Sequence, residues 1–146
     1  MPNGKRSITL TIGWIMLFVL GLLMTLGGLE SLYVAYRAAD NPIAGVSLAR
    51  FAELNPEIPA ALRGRRSTAA SLAISYGILL AWIAAVPFRR AERWSWCAVG
   101  VSFAAGSLSA ILRVPLLDTW SGAGSAAVAL GIAVVALAIS SRDFFG

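Results

Sequence analysis

Four long uncharged runs dominate the chain, at residues 7–29, 67–88, 94–112 and 119–141. Each holds about 19 to 23 residues, and a helix of ~20 residues crosses the ~30 Å hydrocarbon layer of a bilayer. The alternating ten-residue segments of a transmembrane β-barrel do not occur. In lipid every backbone N–H and C=O must be paired within its own segment, which leaves helix. The pattern predicts an all-α fold. It is an integral membrane four-helix bundle forming a single transmembrane domain over residues 1–146, with spans at about 8–30, 67–88, 94–113 and 119–141.

The first run comes after Lys5 and Arg6, as in a signal peptide. It is longer than the usual apolar core of a signal peptide and no A-x-A cleavage site comes after it, so it reads as an uncleaved span. No breaker interrupts residues 30–39, and the span is expected to continue as helix to about residue 39, where Asp40, Asn41 and Pro42 end it. In the first loop, residues 47–54 predict a short amphipathic helix with Leu48, Phe51, Ala52 and Leu54 on its apolar face. Ser47 is its expected N-cap, and Asn55-Pro56 closes it. Pro59 suits the first turn of another short helix feeding span 2. The amphipathic helix would lie on the bundle mouth or in the interface; an ordinary structured connector is the alternative.

Small residues recur every four positions in three spans. Span 2 has Ala69, Ala73, Gly77, Ala81 and Ala85; span 3 has Ser102, Gly106 and Ala110; span 4 has Ala123, Ala127 and Gly131. Span 1 offers only Gly13 and Gly21. Helices in lipid associate through such close-packing positions. The stripes are expected to face each other inside the monomer, with a homodimer interface through span 4 as the alternative.

Composition agrees with lipid as the solvent. The chain is 58% hydrophobic and 13% charged, against about 25% charged in soluble domains. Its net charge of +5 would raise nucleic acid as a partner in a soluble protein. Here the basic residues sit in short clusters between apolar runs, where they anchor helices among headgroups. Trp94 and Trp96, next to the basic turn at 89–93, are expected to anchor at the same depth. Membrane lipid, a second copy or another membrane protein are the expected partners, and nucleic acid is not.

The chain has no histidine, which removes the commonest general base and metal ligand. A single cysteine, Cys97, excludes an internal disulfide relay. No metal, no cofactor and no catalytic residue is expected, and whether the chain is an enzyme stays open. Eleven of the twelve basic residues are Arg, encoded by GC-rich codons, which points to a bacterial inner membrane. The two sides carry equal numbers of basic residues, so the positive-inside rule does not decide. The compact cluster Arg89, Arg90, Arg93 favours cytoplasmic termini.

Interior-grade polar residues are few. Glu30, Tyr33 and Arg37 succeed one another at helical spacing near the end of span 1. Arg113 and Asp118 stand at the end of span 3. These five are the candidate ligand-binding residues. Arg113 is expected to pair with Glu30 or Asp118, because a lone charge near hydrocarbon is costly; a structural ion pair or a snorkelling Arg is the plainer reading. Ser71, Ser75, Ser102, Ser107 and Ser109 are expected to bond the preceding turn rather than line a polar path.

The stretch PFRRAERWSW at residues 87–96 resembles the basic, tryptophan-bearing turn between spans 2 and 3 of small bacterial four-helix membrane proteins, among them DoxX-like and uncharacterised chains. The long first loop and tight second one are similar too. The resemblance implies a four-helix bundle with cytoplasmic termini and no defined activity. The small multidrug transporters are similar in size, but they carry a Glu in mid-span 1. The middle of this span 1 has no charge, and Glu30 lies at its edge. Three functional classes stay open. The first is an accessory, scaffold or lipid- or apolar-ligand-binding protein. The others are an oligomeric transporter of small solutes or lipid, and a membrane enzyme acting on lipid or quinone near Glu30 and Arg113.

Overall fold

The computed structural model describes residues 7–37, 42–43, 45–117 and 122–146. Among them the fold is all-α. Its helices are α1 (Ile8–Arg37), α2 (Leu48–Leu54), α3 (Glu57–Ala85), α4 (Arg93–Leu117) and α5 (Ala123–Phe145), with a 3₁₀ turn at Phe88–Arg90 between α3 and α4. α1, α3, α4 and α5 are each long and apolar enough to cross a membrane. The chain divides into two compact units, one of residues up to Gly21 and from Leu79 onwards, the other of Leu22–Ile78.

α1 runs without interruption to Arg37, past the apolar run, as the lack of a breaker predicts. The short helix forms as well. Ser47 Oγ accepts the backbone N–H of Arg50 at 3.3 Å, and the chain reverses before it through paired bonds between Ile43 and Val46 at 2.9 and 3.0 Å. Gly45 takes φ +79° in that reversal, where a side chain would be strained. Of the predicted apolar face only Leu48 is buried, and Leu54 is 78% exposed.

The expected extra helix around Pro59 is not separate. α3 starts at Glu57 and continues unbroken through 29 residues. Asn55 Oδ1 accepts the Glu57 N–H at 2.9 Å and starts the helix, and Pro59 falls in the first turn, where its missing N–H matters least. α4 likewise continues past residue 113, carrying Pro115 in its last turn.

In the first unit α1 buries Leu10, Gly13, Leu17 and Leu20, a three-four repeat along one face. α4 buries Ser95, Val99, Phe103 and Ser107, and α5 buries Ala133, Ala136, Leu137, Ser140 and Phe144. Of the expected stripes of α4 and α5, Ala123 is buried, but most positions point elsewhere. Ser102, Gly106, Ala127 and Gly131 are exposed, and a Cβ at Gly106 or Gly131 would meet nothing within 4 Å. The close approach is at Gly13, where a Cβ would stand 3.1 Å from the Ala136 carbonyl oxygen and 3.2 Å from Ser140 Cβ. The packed face of α5 mixes small residues with the bulky Leu137 and Phe144, so the regular spacing of small residues does not mark it.

In the second unit α1 and α3 run antiparallel in a fixed register. A Cβ on Gly28 would stand 3.0 Å from the Ala70 carbonyl oxygen and 2.7 Å from Ile74 Cγ1. One turn further along α1, Ser31 Oγ accepts from Arg66 Nε at 3.2 Å. Gly77 of the span 2 stripe is buried here, as is Ala70, while Ala69 is exposed.

Candidate functional site

Each unit has a polar end, and the two are built differently. In the first unit the tight turn after α3 folds inward. Ala91 takes the left-handed φ of 56°, and the N–H groups of Arg90, Ala91 and Glu92 return to the carbonyls of Pro87 and Phe88 at 2.9–3.1 Å. This aims Phe88 into the core, fully buried, with its ring 4.8 Å from that of Phe144.

The start of α4 is then tied to the end of α5. Arg93 Nε donates to the Phe144 carbonyl at 2.9 Å and Trp96 Nε1 to the Leu137 carbonyl at 3.0 Å. Arg89 lies over the Trp14 ring at 5.3 Å and Arg93 over Phe145 at 5.9 Å. Thr9 Oγ1 donates to Asp143 Oδ2 at 2.8 Å, and Ser7 contacts Thr9 through their hydroxyls. Trp94 is 55% exposed, and its indole N–H donates to Glu92 Oε2 at 2.8 Å. Trp96, expected beside it as a second anchor, is turned onto α5 instead. An open groove of about 300 Å³ lies outside this turn between Ala85, Val86, Arg89 and Arg90.

In the second unit the end of α1 and the start of α3 leave a cavity of about 40 Å³. Val34, Ala35 and Leu62 line it, with Ile43 and Leu48 from the first loop beside them. Among the described residues Arg63 and Arg66 are its charged lining. They stand three apart on α3, on one helix face. Arg66 Nε donates to Ser31 Oγ at 3.2 Å, and Arg63 is exposed.

Of the five candidates from the sequence, four lie among the described residues. Glu30, Tyr33 and Arg37 are exposed on α1 in the second unit, near the level of the cavity-lining residues Val34 and Ala35. Arg113 is exposed on α4 in the first unit. Asp118 lies outside the described residues. Arg63 and Arg66 are not among the five, because they precede the uncharged run of span 2. The signal was the cluster Arg63, Arg65 and Arg66 directly before the apolar run, on the helix that Pro59 already predicts there.

The serine expectation holds at three positions. Ser71, Ser75 and Ser109 donate to the carbonyls of Ser67, Ser71 and Ala105 at 2.9–3.0 Å. Those hydroxyls are engaged by their own helices. Among the described residues no three of His, Cys, Asp and Glu stand close enough together to hold a metal ion.

No protein-family model, no curated protein and no solved structure matches this chain. The four apolar helices make it a membrane protein by length and composition.

Proposed function

We propose that this membrane protein works by binding within the bilayer, holding lipid or another membrane protein against its helices, rather than by turning over a substrate. One observation carries the reading. In none of the four spans is more than 28% of the most apolar stretch buried within the chain. A helix that buried its apolar surface in its own fold would have little left to offer. These helices keep most of theirs outward, including the open small-residue positions Gly106 and Gly131. Such positions let another helix or an acyl chain approach the backbone closely.

The described polar groups support it. Ser71, Ser75 and Ser109 bond their own helices, and the polar contacts of the first unit tie helix to helix. Native mass spectrometry of the chain released from mild detergent tests the proposal. Retained lipid, a second copy or a partner chain is the expected result. A bare monomer that keeps its full thermal stability after delipidation would overturn it.

A further inference from the structure

We infer that the cavity beside Arg63 and Arg66 is a binding site for the phosphate of an anionic membrane lipid. This rests on the binding reading above and names the ligand. Three observations converge. First, the cavity pairs two guanidiniums with an otherwise apolar lining, Val34, Ala35, Leu48 and Leu62 among it. The two guanidiniums offer charge to a headgroup, and the apolar flank of the helices beside them offers hydrocarbon to the acyl chains. Guanidinium is the side chain best matched to a phosphate, through paired N–H donors.

Second, the depth is right. The uncharged run of span 2 begins at Ser67, directly after Arg66, so both cations stand where hydrocarbon gives way to headgroups. Tyr33 and Tyr36, exposed on α1 near the same level, are residues that favour that layer. Third, the size selects the part of the lipid that enters. A void needs about 10–15 Å³ to hold one water, so a cavity of about 40 Å³ admits a few headgroup oxygens and no acyl chain. The chains remain outside, against the apolar flank of the helices. The Ser31 hydroxyl, by holding Arg66 at Nε, keeps that guanidinium oriented at the cavity wall instead of leaving it to swing into water.

The groove at Arg89 and Arg90 is the weaker place for the same chemistry. It is wide and open, at about 300 Å³.

The test compares phosphatidylglycerol with phosphatidylcholine of identical chains, each titrated into the full chain in dodecylmaltoside and counted by native mass spectrometry. Wild type is expected to prefer phosphatidylglycerol by about thirtyfold, the worth of two basic groups at about 1 kcal/mol each. R63Q/R66Q should bring the two lipids to near parity, R63K/R66K should keep part of the preference, and R142Q should keep all of it. R63Q alone, at an exposed position, carries the test if the double variant fails to fold. Equal binding of the two lipids to wild type, or an undiminished preference in R63Q/R66Q, overturns the proposal. So does equal thermal protection by inorganic phosphate without lipid, which would make the ligand a soluble anion. If the broader binding reading fails instead, neither lipid and no protein partner is retained.

Discussion

The two units solve the same problem, anchoring charge at the end of apolar helices, in opposite ways. In the first, several polar and aromatic side chains of the pole are engaged by neighbours, and a wide groove lies outside them beside Arg89 and Arg90. Phe88 and Phe144 fill the centre, Arg93 and Trp96 close onto carbonyls at the end of α5, and Arg89 covers Trp14. In the second, α1 and α3 meet at the close approach of Gly28 and through the hydrogen bond from Arg66 to Ser31, and a cavity with two cations on its wall stays open beside them. A closed pole gains stability by filling its own space. An open one gives up packing and keeps room for a ligand next to charge. The small cavity beside Arg63 and Arg66, against the wide open groove at Arg89 and Arg90, is why the binding proposal falls on the former.

Four sets of substitutions break or sharpen this contrast. The largest effect is expected for Phe88→Ala. It removes a fully buried ring, and such truncations cost about 3–5 kcal/mol. Thermal unfolding in detergent should show it plainly, and an unchanged midpoint would mean that the first unit is not closed around Phe88. Next come the two glycines of close approach. Gly13→Leu and Gly28→Leu each force a side chain into packed backbone, at about 1–3 kcal/mol, whereas Gly131→Leu, in open space, should leave the isolated chain's stability unaltered. If Gly131→Leu instead abolishes a dimer seen with wild type, α5 is the oligomer face.

Trp96→Phe keeps the ring against Phe145 and removes one hydrogen bond to the Leu137 carbonyl, so a loss of about 0.5–1.5 kcal/mol is expected. The smallest effect belongs to Glu30→Gln and Arg113→Gln. Both residues are exposed, and surface changes of this kind usually stay within about 0.5 kcal/mol. A large loss of stability in either would show that its charge is engaged when the chain sits in its membrane.

Sequence by itself determined the spans. Four uncharged runs of helix-spanning length admit one backbone solution in lipid, and that argument needs no tertiary contact. Local chemistry was legible too: Ser47 as an N-cap, the unbroken continuation of α1 to Arg37, and serines bonding their own helices are decided within a turn or two of chain.

What only the tertiary structure decided is which face of each helix is inside. Every face of these helices is apolar, so the amphipathic signal that orients a helix in water is missing. Regularly spaced small residues were therefore a guide in some spans and not in others. Of the positions the pattern singled out, Gly13, Gly77 and Ala81 are buried and Gly106 and Gly131 face outward, while Gly28, outside any stripe, makes a close contact. The pairing of Arg66 with Ser31 across 35 residues of chain has the same cause. It depends on how two uniformly greasy cylinders are rotated against each other, and contact between them, not hydropathy along either, fixes that rotation.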